Sequence, residues 1–278
     1  MNDENFNKLL KLALKEDLAD AGDVTSRAIF DDEQMTKAVL KSKDTGILAG
    51  ISFFCQVFAK VDARIEVRKK MDDGSSIKPG DIIAEVSGPV AAVLEAERTA
   101  INFLSFMSGI ATCTAEHIAA AQDKGNVTIL DTRKTLPGYR TLSKYAVKMG
   151  GGQNHRMGLY DMVMIKDNHI DAAGGIREAV SRVREKWGDH YRIEVECRTI
   201  KEVEEALDCK ADVIMLDNMT PEMTKEAVEM RRDEVEFEAS GNMDIEKIKR
   251  YNNTGVDYIS IGKLTHSVTA FDFSLVME

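Results

Sequence analysis

Proline is scarce in this chain, with 4 in 278 residues, and no tract of biased composition interrupts it. A polyproline segment or a low-complexity linker is therefore excluded. Cysteine is equally sparse. Cys55, Cys113, Cys197 and Cys209 lie far apart and form no CxxC pair, which argues against a disulfide framework or a zinc site and for a reducing compartment. No apolar run reaches the ~18 residues needed to span a bilayer. The opening MNDENFNKLL lacks the basic start and apolar centre of a secretory leader. Net positive charge is missing too: the formal charge is -10, which speaks against a nucleic-acid surface. The expectation is a soluble, cytoplasmic protein with neither membrane nor nucleic acid as partner. Its 278 residues make one large domain or two smaller ones.

Against this acidic background one stretch stands out. Residues 131–170 read DTRKTLPGYRTLSKYAVKMGGGQNHRMGLYDMVMIKDNHI, with Arg133, Lys134, Arg140, Lys144, Lys148, Arg156 and Lys166 against Asp131, Asp161 and Asp167. It also holds His155, His169 and the run Gly150, Gly151, Gly152. A local cationic island focuses small anions, so a ligand with several carboxylates or phosphates is expected.

The chain opens on an amphipathic helix, with Phe6, Leu9, Leu10, Ala13 and Leu14 at helical spacing. Short β-like runs follow from about Thr36 to Ser87, broken by turns at Asp72–Gly74 and Pro79–Gly80. They predict a small antiparallel sheet. Residues 89–121 suit one or two helices, with Gly109 either a break or a point of close packing. Arg98 there lies beside Glu95 and Glu97, and periodicity alone reads it as a solvated helix residue.

Beyond Val127 strands and helices alternate. Strands are predicted at Val127–Leu130, Met162–Ile165, Arg192–Cys197, Asp212–Leu216, Val235–Ala239 and Asp257–Ile261. Helices are predicted at Leu142–Met149, Ile176–Trp187, Lys201–Leu207, Pro221–Met230 and Asp244–Tyr251. Such alternation implies parallel strands with right-handed crossovers. Six strands fall short of a full barrel, and a doubly wound sheet stays open beside an incomplete one. Polar residues follow every strand: Asp131–Thr132–Arg133, Lys166–Asp167, Glu196, Asp217–Asn218, Ser240–Gly241 and Gly262–Lys263. In a parallel barrel these positions converge on the catalytic face.

Arg133, Lys134, His155, Arg156 and Lys166 offer donors for carboxylate or phosphate oxygens. Glu196 and Asp217 among them suit Mg²⁺ ligation, hydrogen bonds to ribose, or stabilisation of a developing cation. Ser240–Gly241 and Ile261–Gly262 suit a backbone phosphate cradle. Blander readings stand beside these. His155 could bond a loop carbonyl, the glycine run could cap a helix, and Lys166 could be a Schiff-base lysine.

The stretches KEDLADAGDVTS, ERTAINFLSFMSGIAT, DTRKTLPGYR, KYAVKMGGGQNHRMGLYDMVMIKDNHI, MLDNM, EASGN and GVDYISIGKLTHS together resemble the quinolinate phosphoribosyltransferase family. The matches run in order from about Lys15 to Leu275. The resemblance implies an N-terminal α/β sandwich over residues 1–111 and an open α/β barrel of the type II phosphoribosyltransferase kind over 112–265. Residues 266–278 would return to the first domain. It implies transfer of phosphoribose from phosphoribosyl pyrophosphate to quinolinate, giving nicotinate mononucleotide, pyrophosphate and CO₂ in de novo NAD synthesis, with Mg²⁺ required. It also implies a homodimer or larger assembly whose sites are completed across subunits.

By motif, Thr132, Arg133, His155, Arg156 and Lys166 would face quinolinate, with Lys134 close by and Arg98 supplied by the partner subunit. Lys134, Lys166, Glu196 and Asp217 would be catalytic, the two acids also holding Mg²⁺. Ser240, Gly241, Asn242, Gly262 and His266 would bind the phosphate. Three positions depart from the family pattern: Asn242 for a second glycine, Tyr139 for leucine, and Cys197 for an aliphatic residue. The nearest rival is the related phosphoribosyltransferase-like protein linked to molybdenum transport, which shares the GGG and HR elements; the complete MVMIKDNHI with Lys166 favours the quinolinate enzyme.

Overall fold

A computed structural model describes residues 4–122, 127–232 and 234–278. The described chain separates into two compact units. The first comprises Met1–Ala115, Leu136–Gly151 and Ser267–Glu278, and the second Glu116–Thr135 and Gly152–His266.

The first unit starts with α1 (Glu4–Leu18) and the single turn α2 (Ser26–Ile29), followed by β1 (Met35–Ser42), β2 (Gly46–Ile47) and α3 (Ile51–Val61). Then come β3 (Glu66–Lys69), β4 (Ser76–Ile77), β5 (Ile82–Pro89) and the long α4 (Val90–Gln122), whose residues from Glu116 onward count with the second unit. The expected antiparallel sheet is present, and its fourth strand comes from the far end of the chain: the order is β12–β1–β5–β3, where β12 is Phe273–Met277. β2 and β4 form a separate two-stranded pair.

Helix α3 escaped the sequence reading, which took the stretch from Thr36 to Ser87 as short β-like runs, although its buried Ile51, Phe53, Phe54, Val57 and Phe58 fall at helical spacing. Its Phe53 meets Phe6 of α1 edge-on at 4.7 Å, and Phe6 in turn meets Phe103 of α4 at 5.2 Å. All three rings are buried, and they clamp the helices over the sheet as the layered sandwich. Gly109 does not break α4, which runs unbroken through it. A Cβ there would collide with the Thr269 carbonyl oxygen, so glycine is present for close approach of the C-terminal segment.

Residues Leu136–Gly151, read from the sequence as part of the barrel domain, belong instead to the first unit. They carry α5 (Arg140–Met149), which starts at Arg140 where Leu142 was predicted. Tyr139 stacks parallel on Phe103 at 6.0 Å, and Tyr145 meets Phe53 at 5.6 Å. Tyr145 also donates to Asp73, 2.6 Å, whose other oxygen accepts the N–H groups of Gly50 and Ile51 at the start of α3. Aromatic packing and this shared carboxylate hold the segment there.

The second unit is the open barrel. Its elements are β6 (Thr128–Leu130), β7 (Val163–Ile165), α6 (Asp167–Ala173), α7 (Ile176–Trp187), β8 (Ile193–Cys197), α8 (Ile200–Asp208) and β9 (Val213–Asp217). They continue with α9 (Pro221–Glu229), β10 (Glu236–Ser240), α10 (Ile245–Tyr251), β11 (Tyr258–Ser260) and the single turn α11 (Lys263–His266). Thr199, Thr220 and Asp244 cap α8, α9 and α10 through their side-chain oxygens. Among the described residues six strands pair in parallel in the order β6–β11–β10–β9–β8–β7. From β7 onward each strand neighbours the next in sequence and β11 returns to β6, so among the described residues the one pair missing from the ring is β6 with β7. That order belongs to a barrel with one open seam and rules out the doubly wound alternative. Among the described residues no helix is long and apolar enough to cross a membrane.

Candidate active site

Side chains alternate across a strand, and in this barrel the alternation sends apolar groups outward. Ile193, Val195 and Cys197 of β8 are buried under the helices, whereas Glu194 and Glu196 point to the interior. The same parity places Met215 and Asp217 of β9, Glu238 and Ser240 of β10, Ser260 of β11, and Met164 with Lys166 of β7 on the inside. At the C-terminal ends of the strands Met164, Lys166, Glu196, Met215, Asp217, Ser240 and Ser260 line a cleft of about 460 Å³, together with Thr132, Arg133, Lys134, His155 and Arg156.

Nine of the residues singled out in the sequence thus share one cleft: Thr132, Arg133, Lys134, His155, Arg156, Lys166, Glu196, Asp217 and Ser240. Gly241, Asn242, Gly262 and His266 are not among its lining residues. Gly262 and His266 nonetheless adjoin Lys134, since a Cβ on Gly262 would come within 2.8 Å of Lys134 Cδ and 3.1 Å of the His266 ring. Arg98 is exposed on α4 of the first unit. The glycine run turns out to end a helix, Gly150 being the C-cap of α5.

Backbone contacts fix where the cleft side chains point. The Thr132 hydroxyl accepts the Lys134 N–H at 3.0 Å, and the Thr265 hydroxyl donates to the Lys134 carbonyl at 2.8 Å. Asp161 accepts the N–H groups of Met157 and Gly158 at 2.6 and 2.8 Å, closing the loop that carries Arg156. The Arg156 guanidinium reaches the Met162 carbonyl at 3.2 Å and the Met164 sulfur at 3.4 Å. Burial, with Arg133 nearby, holds its pKa below the ordinary arginine value.

The turn from β7 into α6 is tied by His169, whose Nδ1 accepts the Lys166 N–H at 3.0 Å. Lys166 Nζ then stands 3.3 Å from Glu196. Asp217 accepts from the Asn218 amide at 2.8 Å, and the Asn218 N–H donates to the Ser240 carbonyl at 3.0 Å. The ends of β9 and β10 approach so closely that a Cβ on Gly241 would overlap the Asn218 side chain. The next residue, Asn242, has φ +47. Asparagine tolerates this left-handed region better than other non-glycine residues, so the loop keeps a backbone that glycine would also adopt.

His155 departs from the donor role assigned to it. Its backbone N–H donates to buried Asp131 at 3.0 Å, and its ring turns inward. Nε2 lies 3.1 Å from Glu194 and 3.4 Å from Glu238, two carboxylates with side-chain exposures of 1% each. Burial opposes a charged imidazole there, but the two acids outweigh it and push His155 up to about 10. Burial and the proximity of Glu238 raise Glu194. On the other side the Arg156 N–H points at Nδ1 from 2.6 Å. An imidazolium would carry a second proton on Nδ1, whereas this contact requires a lone pair; the geometry decides for the lone pair, and a proton on Nε2 is common to both descriptions.

Glu194 and Glu238 were missed in the sequence, as were Met164, Met215 and Ser260. Period-two parity from Glu196 and Ser240 would have found the two acids, one step down each strand.

Sequence profiles decide the kinship. Quinolinate phosphoribosyl transferase, N-terminal domain, matches residues 23–108, and its C-terminal domain matches residues 110–276. The chain belongs to the quinolinate phosphoribosyl transferase family. It is 42% identical over 275 residues to a probable nicotinate-nucleotide pyrophosphorylase [carboxylating] of Bacillus subtilis, covering 99% of this chain and 94% of that protein. It is 43% identical over 292 residues to a mitochondrial quinolinate phosphoribosyltransferase [decarboxylating] of Nicotiana tabacum, covering 99% and 82%. The crystal structure of NadC from Streptococcus pyogenes superposes with a TM-score of 0.95 at 39% identity, covering 99% of this chain and 96% of that one. Like these relatives, the chain is an α/β protein with the open parallel barrel of type II phosphoribosyltransferases.

Proposed function

We propose that this family member transfers phosphoribose from phosphoribosyl pyrophosphate to quinolinate with loss of CO₂, yielding nicotinate mononucleotide and pyrophosphate for de novo NAD synthesis. The observation that carries the reading is the cleft itself: four cations, Arg133, Lys134, Arg156 and Lys166, surround two acids, Glu196 and Asp217, at one barrel mouth. Quinolinate brings two carboxylates, which arginine forks bind bidentately. The donor brings a phosphate and a pyrophosphate. A site for anions alone gains nothing from two carboxylates, whereas ribosyl transfer passes through oxocarbenium-like charge that Glu196 and Asp217 stabilise.

The pyridine nitrogen attacks C1 of the ribose as pyrophosphate leaves. Loss of the 2-carboxylate as CO₂ places negative charge on the ring carbon, which then takes a proton. The cations of the cleft stabilise that charge, provided the ring is held rigidly. Lys166, already paired with Glu196, acts as a point charge. Ser240, Gly241, Asn242, Gly262 and His266 suit the 5′-phosphate.

Glu196 and Asp217 also fit Mg²⁺, being hard oxygen donors open to a cleft, since Mg²⁺ takes one or two carboxylates plus substrate phosphates. When bound, Mg²⁺ neutralises charge on the pyrophosphate. A homodimer in which Arg98 enters the neighbour's site belongs to the same proposal, as does a cytoplasmic setting, consistent with four free cysteines. Incubation with quinolinate, phosphoribosyl pyrophosphate and Mg²⁺ should release CO₂ and nicotinate mononucleotide, and nicotinic acid should not replace quinolinate; equal use of nicotinic acid would refute the dicarboxylate reading. Mixing inactive Arg98→Ala and Lys166→Ala chains should restore partial activity, and no recovery in verified hybrids would exclude the shared site.

A further inference from the structure

Buried below the cleft, Glu194 and Glu238 touch no part of its mouth, yet two carboxylates removed from water need a reason. They come from strands β8 and β10, on either side of β9, and both converge on one atom, Nε2 of His155. Their other oxygens do not explain them. Oε1 of each acid is buried without a hydrogen-bond donor, and Oε2 of Glu194 faces the ring nitrogen as an ion-pair contact, not an aligned hydrogen bond. The opposite ring nitrogen of His155 accepts the backbone N–H of Arg156, and the Arg156 guanidinium is held by Met162 and Met164. A chain of contacts thus leads from the two acids through one imidazole to one arginine of the cleft.

We infer that Glu194 and Glu238 are positioning residues: they pin His155 by Nε2, fix Nδ1 as the acceptor for Arg156, and so aim the Arg156 guanidinium at a carboxylate of the bound pyridine dicarboxylate. The inference rests on the quinolinate reading above. Two features of the geometry support it. His155 has both ring nitrogens occupied by the protein, so it cannot itself offer an N–H to the ligand without releasing one of them. The acids lie between strands that also end in Glu196 and Ser240, so their cost falls on the barrel interior while their effect emerges at a single side chain. Glu238 acts through hydrogen-bond acceptance, a role that an amide oxygen can also fill.

The test separates this role from a general contribution to folding. Glu238→Ala should raise KM for quinolinate about tenfold, as expected for a misaimed clamp, while kcat changes less than about threefold and KM for phosphoribosyl pyrophosphate stays put. Glu238→Gln should return the quinolinate KM to within about threefold of the unmodified chain, because its carbonyl still accepts from Nε2–H. The double variant Glu238→Ala/His155→Ala should be no worse than His155→Ala alone, since residues acting through one another are not additive. Additive losses, equal changes in both KM values, or failure of the Gln variant would overturn the inference. So would about one equivalent of tightly bound metal in the purified chain that disappears in His155→Ala, because the cluster, whose donor atoms all lie within 4.8 Å of one another, would then be a ligand set. If the unmodified chain makes no nicotinate mononucleotide, the reaction itself is misread; if it does and Glu238→Ala behaves identically, only the positioning role fails.

Discussion

The two sheets obey the same alternation and use it in opposite ways. In the antiparallel sheet of the first unit, Leu40, Ala84 and Val86 are buried and Arg68 and Glu85 face solvent. In the parallel sheet of the second, the apolar residues face outward to the helices and the charged ones face the enclosed interior. Glu85 pairs with Lys70 at the surface, 2.6 Å. Glu194 and Glu238, likewise flanked by apolar residues, are wholly enclosed. The difference teaches that a polar position in an alternating strand is not a solvent position until the sheet's closure is known.

The contrast can be broken on the stability side first. Phe6→Ala removes the ring shared by α1, α3 and α4 and should cost about 3–5 kcal/mol in chemical denaturation. Lys166→Ala, inside the barrel mouth, should leave the denaturation midpoint nearly unchanged while lowering kcat/KM by about 10² to 10³. If the two variants lost stability and activity in parallel, the division of labour between the sheets would be wrong.

A finer test compares Glu236 with Glu238 on the same strand. Glu236 reaches Arg192 and the Tyr258 hydroxyl, the latter at 2.7 Å. Burial works against its charge, but these two partners hold it below the ordinary value of 4.5. A carboxylate depressed by folding stabilises above its unfolded pKa and loses that contribution as pH falls through the folded one. Glu236→Gln should therefore be less stable than the unmodified chain near neutrality, and that difference should shrink as pH falls below about 4.5, so its acid unfolding is less steep. The smallest effect belongs to Asn242→Gly: with φ already +47, stability should shift by under about 0.5 kcal/mol and KM for phosphoribosyl pyrophosphate should hold.

Much of the barrel was readable from residues alone. All six strands are where alternation put them, within a residue or two at their ends, and α7 matches its predicted span. Strand-end polarity sufficed to gather Arg133, Lys166, Glu196, Asp217 and Ser240, because a parallel barrel converts linear position into a common rim. The rest depended on contacts that no window contains. The inward turn of His155 needs Glu194 and Glu238 from two other strands. The assignment of α5 to the first unit needs Tyr139 against Phe103 and Tyr145 against Asp73. Helix α3 carried a helical period, with Ile51, Phe54 and Phe58 buried and Ala59 and Lys60 exposed, but it is short and sits between β-like runs that dominate the reading of that stretch.

The return of the chain to β1 through β12 has a consequence for synthesis. A ribosome delivers β1, β3 and β5 before the barrel and the five residues of β12 after it. Until Phe273–Met277 emerges, one edge of β1 stays unpaired, and an unpaired edge is an invitation to other strands. The nascent chain therefore makes its entire barrel before the first unit can be sealed, and truncation of the last twelve residues should produce aggregation during expression, measurable as loss from the soluble fraction.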